Sequence, residues 1–208
     1  MTGIPGAAVL VLLGYLIGAL PFGLLVGRLA GGVDLREHGS GRIGATNALR
    51  TVGLAGAVLT FLLDVGKGVV AVLMVGWLYV AGPPGSPLWV AAAVGIAAVA
   101  GHIRSVFIGF RGGRGVATFA GTMLATVPWV AAIVLPLGAL IVWRSRIVSL
   151  GSVSGALLAP VVTAALALVG QATWAAVALA LGGSVLVTIA HRDNIARLRA
   201  GTERRLGQ

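Results

Sequence analysis

Cysteine is absent from the 208 residues, which excludes disulfides, thiolate nucleophiles and thiolate metal sites. Lysine is almost absent: Lys67 is the only one, and every other basic side chain apart from histidine is arginine. Charge of any kind is scarce, at 10% of residues against roughly 25% in a soluble domain, and no soluble domain fits in the loops between the apolar runs. No sequence repeat at a fixed period and no low-complexity linker is visible. The first apolar run has no charged stretch ahead of it and no evident small-residue cleavage site, so it reads as a retained span and not as a signal peptide. What abounds is apolar: 58% of residues are hydrophobic and the mean hydropathy is +1.04. These proportions predict an integral membrane protein with one domain over residues 1–208. A net charge of +10 and a pI near 11.9 would suggest nucleic acid in a soluble protein. Here they describe basic loops facing an anionic membrane surface, with no nucleic-acid partner.

Six apolar runs follow one another. Ala7–Leu29 is long enough to span, at about 20 residues per crossing, with a kink expected at Pro21. A polar loop covers residues 31–50. Val52–Val80 is interrupted by Asp64 and Lys67, and Gly82–Pro87 is a tight uncharged turn. Leu88–Ala100 continues toward His102. Val116–Trp143 contains Pro128 and Pro136, and Arg144 and Arg146 close it. Ile147–Val169 and Thr173–Ala190 are the last two, before a basic tail. All arginines fall in four groups, at 28–50, 104–114, 144–146 and 192–205, whereas the N-terminus, the 82–87 turn and the turn near Gln171 carry no charge. The positive-inside rule puts the four groups in the cytoplasm. The run 116–143 then starts and ends on one side. At about 1.5 Å per residue it makes one helix of roughly 42 Å or two of about 21 Å, and parity selects two, turning near Pro128. The expectation is an all-α polytopic bundle of seven transmembrane helices, N-terminus outside and C-terminus cytoplasmic. The alternative is five spans with 115–143 as a re-entrant hairpin. Either way the polar sequence gathers on one membrane face.

Three polar clusters lie on that face. The stretch Gly101–Gly121, GHIRSVFIGFRGGRGVATFAG, carries Arg111, Gly112, Gly113 and Arg114 just before an expected helix. Glycines bring backbone N–H groups close to a ligand, guanidinium groups pair with phosphate, and a helix N-terminus favours an anion. A plain positive-inside loop is the alternative. The first loop, Gly39–Arg50, gathers Ser40, Thr46, Asn47, Arg42 and Arg50 among three further glycines, enough to surround an anion, although such compositions also make ordinary turns. In the tail, His191 and Asn194 stand one helical turn apart and Glu203 follows. Ser149 opens a span after Arg146; membrane serines usually serve packing, and a further anion contact is the functional reading. Asp64 and Lys67, three apart on one helix face, read as a structural ion pair supporting the loops.

The ordered combination resembles the bacterial acyl-phosphate-dependent glycerol 3-phosphate acyltransferases of the PlsY type. Three signatures carry the resemblance: GSG-x-x-GATN-x-x-R at Gly39–Arg50, GH-x-x-x-x-F-x-x-F-x-GG-x-GVAT at Gly101–Thr118, and H-R-x-NI-x-R-L-x-x-GTE at His191–Glu203. Weaker matches lie at Tyr15–Pro21, Leu63–Gly68 and Arg146–Leu150. The resemblance spans nearly the whole chain. It implies transfer of a fatty acyl group from acyl phosphate to the 1-hydroxyl of glycerol 3-phosphate, giving lysophosphatidic acid and phosphate, at the cytoplasmic face of a bacterial plasma membrane. It implies no cofactor and no metal, and an enzyme upstream that makes the acyl phosphate. By the same resemblance Ser40, Arg50, His191 and Asn194 are catalytic. Arg111, Gly112, Gly113, Arg114, Thr46, Asn47, Ser149 and Glu203 are expected to bind substrate or phosphate. Two acceptors remain open for the hydroxyl proton: His191, with an unperturbed pKa near 6.5, and a substrate phosphate oxygen.

The chain departs from the family in three places, with arginine at Arg42 where asparagine is usual and at Arg111 and Arg114 where lysine is usual. Arginine is larger, forked and permanently charged, so a paralogue using another phosphorylated polyol is one alternative. A non-catalytic lipid-binding or transport protein is the other. Transporters place their sites near the midplane of repeated halves, a pattern this chain lacks.

Overall fold

The computed structural model describes residues 3–79, 83 and 85–207, and every regular element within them is a helix. The 82–87 turn lies partly outside the described residues. In chain order the α-helices are α1 (Gly3–Ala19), α2 (Phe22–Gly31), α3 (Ala45–Leu78), α4 (Ser86–Ile103), α5 (Val116–Thr126), α6 (Pro128–Ser145), α7 (Val148–Leu168), α8 (Trp174–Ala190) and α9 (Arg192–Arg199). Single 3₁₀ turns at Leu35–Glu37 and Val106–Ile108 sit in the first two polar loops.

Proline sets the breaks. The first span is interrupted at Leu20–Pro21, because proline lacks an N–H and clashes with the preceding turn. Lys67 Nζ donates to the Leu20 carbonyl at 2.9 Å, at the break between α1 and α2. The 116–143 run divides at Val127, whose φ −141° and ψ 84° suit a residue before proline, and Pro128 opens α6. The halves are unequal. With 11 residues, α5 is about 16 Å long, well short of the roughly 30 Å hydrocarbon core. Among the described residues five helical stretches are long and apolar enough to cross a membrane, six if the bent α8–α9 pair is one span. Helix α3 begins at Ala45, well before the expected Val52, because the first-loop signature turns helical immediately after the extended Gly44. Gly53, at φ 79° and ψ −173°, kinks α3, so the signature's short helix runs into the long spanning one.

Bare glycines let the helices approach. A Cβ at Gly18 would run into the Ala98 backbone and one at Gly101 into the Tyr15 carbonyl, which joins α1 to α4. Gly68 meets the Thr118 carbonyl and Gly121 the Val65 carbonyl, which joins α3 to α5. Small residues at helix contacts are how membrane bundles gain packing without a hydrophobic drive. One core, around Val99, Phe119, Val130 and Leu179, lies among α4 to α8, and a second, around Leu10, Val75 and Val94, among α1, α3 and α4. Outward-facing Leu62, Val161, Leu181 and Ile189 are exposed, as lipid-facing positions should be. Trp77, Trp129 and Trp174 are exposed near the uncharged helix ends and Trp143 beside Arg144, the positions of aromatic belts. The first loop, the 145–147 turn and the tail meet at one end of the bundle: Arg204 Nη1 donates to the Gly39 carbonyl and the Leu206 N–H to the Arg146 carbonyl.

Candidate active site

The first loop is built on Asn47. Its Nδ2 donates to the carbonyls of Leu35 (2.7 Å), His38 (3.0 Å) and Arg42 (2.8 Å), and its Oδ1 accepts from the Ser40 N–H at 3.0 Å. Gly39, at φ +58°, leaves room for that Oδ1. Asn47 is buried with both polar atoms engaged, so it organises the loop rather than offering its amide to a ligand. Ser40, Arg42, Thr46 and Arg50 line the resulting wall.

The central loop is folded on a buried charge cluster. Lys67 Nζ lies 2.7 Å from Asp64 Oδ1, and both side chains are 1% exposed. His102 Nδ1 lies 3.5 Å from the same oxygen. Beyond α4 the chain returns through Gly112 and Gly113, whose N–H groups donate to the carbonyls of Ile103 (3.2 Å) and His102 (3.0 Å). Those two N–H groups are therefore occupied. Of the stretch expected at the phosphate, Arg114 reaches the cavity, whereas Arg111, Gly112 and Gly113 do not line it, Arg111 being exposed outside. Arg114 Nη1 donates to the Ala190 carbonyl at 3.3 Å, which sets it beside His191.

His191 occupies the break between α8 and α9, beyond the last span, and is buried. Burial first, then the positive charges of Arg114 and Arg42, outweigh the bond to Val187 and pull its pKa down to about 4. The ring is therefore neutral near pH 7. Nδ1 sits 2.8 Å from the Val187 carbonyl, and since a carbonyl only accepts, Nδ1 carries the hydrogen and Nε2 the lone pair. In the tail, Glu203 accepts from Ser149 Oγ (2.8 Å), Arg197 Nε (2.7 Å) and, by a short bond, Asn194 Nδ2. Burial works against the Glu203 charge, but those hydrogen bonds prevail and hold its carboxyl below the usual glutamate value. Glu203 thus ties α7, α9 and the tail together as a carboxylate.

These walls enclose a cavity of about 490 Å³. The N-terminal ends of α3 (Gly44–Thr46), α5 (Gly115–Ala117) and α7 (Val148, Ser149) open onto it, none with a side-chain cap, so their first N–H groups and dipoles favour an anion there. Arg42, Arg50 and Arg114 join them without an ion pair among the described residues. An apolar groove of about 530 Å³ between α5, α6 and α7, lined by residues such as Phe119, Met123 and Leu135, shares Phe61, Val116 and Ser152 with the cavity. One site therefore has a cationic half and a greasy half. Among the described residues no His, Cys, Asp and Glu cluster of three is arranged to hold a metal.

Sequence reasoning missed His102, Arg197, Arg204 and Phe61 as cavity residues. The first two stood inside the second and third signatures, and that was the available signal; Arg204 and Phe61 had none.

The family model for glycerol-3-phosphate acyltransferase matches residues 8–201. Glycerol-3-phosphate acyltransferase 3 of Dehalococcoides mccartyi is 46% identical, covering 95% of this chain and 94% of its own. The glycerol-3-phosphate acyltransferase of Thermus thermophilus is 45% identical over the same shares. Among solved structures, PlsY (YgiH), an integral membrane glycerol 3-phosphate acyltransferase, matches in its glycerol 3-phosphate form with a TM-score of 0.84 and 36% identity, covering 97% of this chain and 96% of that one. Its lysophosphatidic acid form matches with a TM-score of 0.84 and 35% identity, covering 97% and 95%.

Proposed function

The chain belongs to the glycerol-3-phosphate acyltransferase family, and we propose that it moves a fatty acyl group from acyl phosphate to the 1-hydroxyl of glycerol 3-phosphate at the cytoplasmic face of a bacterial plasma membrane. It is an integral membrane acyltransferase whose product is lysophosphatidic acid. The observation that carries the donor is the junction at Phe61, Val116 and Ser152 between the cationic cavity and the apolar groove. An acyl phosphate has that same division, an anionic head on a fatty tail. The cytoplasmic placement rests on the arginine loops gathered around the cavity. Seven crossings, with α5 and α6 as a returning pair, and five crossings, with 115–143 re-entrant, both fit that placement, and the 11 residues of α5 favour a partial entry of that pair into the bilayer.

The chemistry needs no covalent enzyme intermediate, because acyl phosphate is already activated. The hydroxyl oxygen attacks the acyl carbonyl carbon, the bond from that carbon to the phosphate oxygen breaks, and phosphate leaves with the electron pair. The hydroxyl proton goes to His191 Nε2, the ring nitrogen that holds a lone pair once Nδ1–H is committed to Val187. Arg50 and Arg114 hold phosphate oxygens, and the Ser40 hydroxyl hydrogen-bonds to the reacting group. Asn194 is kept in place by Glu203. Rate comes from holding two anions in line and stabilising developing charge.

The test is purified protein in detergent with palmitoyl phosphate and glycerol 3-phosphate. Lysophosphatidic acid and inorganic phosphate should form in equal amounts. Turnover with an acyl thioester but not with acyl phosphate would overturn the donor, and preference for another phosphorylated polyol would overturn the acceptor.

A further inference from the structure

His102 is buried, 3% exposed, and the acyl transfer derived above gives it no task. It lies in the last turn of α4, one residue before the helix ends, and three contacts place it between the core and the central loop. Its Nδ1 faces Asp64 Oδ1 at 3.5 Å. That carboxylate is itself fixed by Lys67, whose Nζ also holds the Leu20 carbonyl at the break between α1 and α2. On the loop side, the His102 carbonyl accepts the Gly113 N–H. The imidazole stands against Gly113 so closely that a Cβ there would run into Nε2, Cε1 and Cδ2 of the ring, and a Cβ at Gly112 would run into the His102 carbonyl. The next residue is Arg114, half-buried on the cavity wall.

We propose that His102 is a positioning residue: braced by Asp64, its ring and carbonyl shape the Gly112–Gly113 turn and thereby deliver the Arg114 guanidinium to the substrate phosphate. Only glycine fits at both turn positions because the ring and carbonyl occupy the space a side chain would take. The glycine pair in the second signature is thus a complement to His102, with its N–H groups turned to the α4 end and away from the ligand. The inference rests on the reading that Arg114 binds phosphate, and it adds the element that holds that side chain in register.

The experiment is a double-mutant cycle between His102→Asn and Arg114→Ala, read as kcat and KM for glycerol 3-phosphate, with a melting temperature for each variant. Misplacing a binding group by about 1 Å costs up to 10²-fold, so His102→Asn should raise KM about 10-fold with kcat nearly unchanged, the pattern of lost uniform binding. In the Arg114→Ala background the same change should alter KM less than about 2-fold, because the residue it acts through is gone. Gly113→Ala should reproduce the KM rise and the same non-additivity, and it carries the test if His102→Asn does not fold. A role in stability alone would lower the melting temperature and the active fraction while leaving KM intact, and that result overturns the proposal. So does full additivity with an impaired Arg114→Ala, which leaves the phosphate role of Arg114 standing. A normal Arg114→Ala overturns both.

Discussion

Arg42, Arg50 and Arg114 stand on the cavity wall, and among the described residues no carboxylate forms an ion pair with them, so their charge is available to an incoming phosphate. A hydrogen bond to a charged group contributes about 1.5–3 kcal/mol, roughly 10- to 150-fold in catalytic efficiency. Arg114→Ala should lose that much with glycerol 3-phosphate while its melting temperature holds, and Arg114→Lys should recover part; steady-state kinetics of both variants decides. His191 yields a pH prediction. Its proton-accepting form persists down to about pH 4, so kcat/KM should stay level from neutral pH to about 5.5 and fall below that in a pH–rate profile. The ring charges near 6.5 in an unfolded chain and near 4 in the native one, so between those values the unfolded state holds the extra proton and stability declines as pH is lowered. A limb near pH 6.5 would show that His191 is not the base. Pairing was legible where opposite charges share a helix face: Asp64 and Lys67, three apart, do lie together. Asn47 was legible as important but not in kind, because an amide serves a ligand or a loop equally well until its four backbone partners are seen. Gly112 and Gly113 misled for a related reason: a glycine pair admits either an anion or a packed side chain, and here the packed group is His102.

Helix α5 shows how an element can be short and still decisive. Its first turn opens on the cavity, and its flank is fixed to α3 through Gly121 against the Val65 carbonyl and Gly68 against the Thr118 carbonyl. Overpacking of this kind costs about 1–3 kcal/mol. Gly121→Val should therefore lower the melting temperature and, by lifting α5 from α3, also raise KM; thermal scans in detergent and kinetics on the same sample check both. Retained stability and normal KM would mean that α5 tolerates displacement and does not define the site. The breaks at Pro21 and Pro128 were legible because proline acts locally. The early start of α3 was not, since Gly-Ala-Thr-Asn is turn-like in composition and becomes helical only with Asn47 anchored to the loop behind it. Of α9 only the turn from His191 to Asn194 was legible: residues 192–199 are polar and basic, without an apolar stripe long enough to announce a helix, and the carboxylate of Glu203 supplies the anchor through Asn194 and Arg197.

At the scale of the whole molecule, hydropathy made the bundle legible and the arginine groups made its polar face legible. How loops far apart in sequence close on one another was not, because it depends on contacts such as Arg204 to Gly39 and Leu206 to Arg146. Orientation is open to direct measurement. A cysteine at Gln171 should react with an impermeant thiol reagent in intact cells, and cysteines at Arg144 or Thr202 only after lysis. Labelling at Arg144 from outside would mean that 116–143 crosses once. The tail has one more consequence. Glu203 follows every apolar span in chain order, yet its carboxylate joins Ser149, Asn194 and Arg197. On the function proposed above, translation therefore supplies every apolar helix before the residue that completes the reaction centre. A nascent polypeptide still held in the ribosome occupies the bilayer in silence, and a message truncated just after the last span would fill the membrane with protein that makes no lipid.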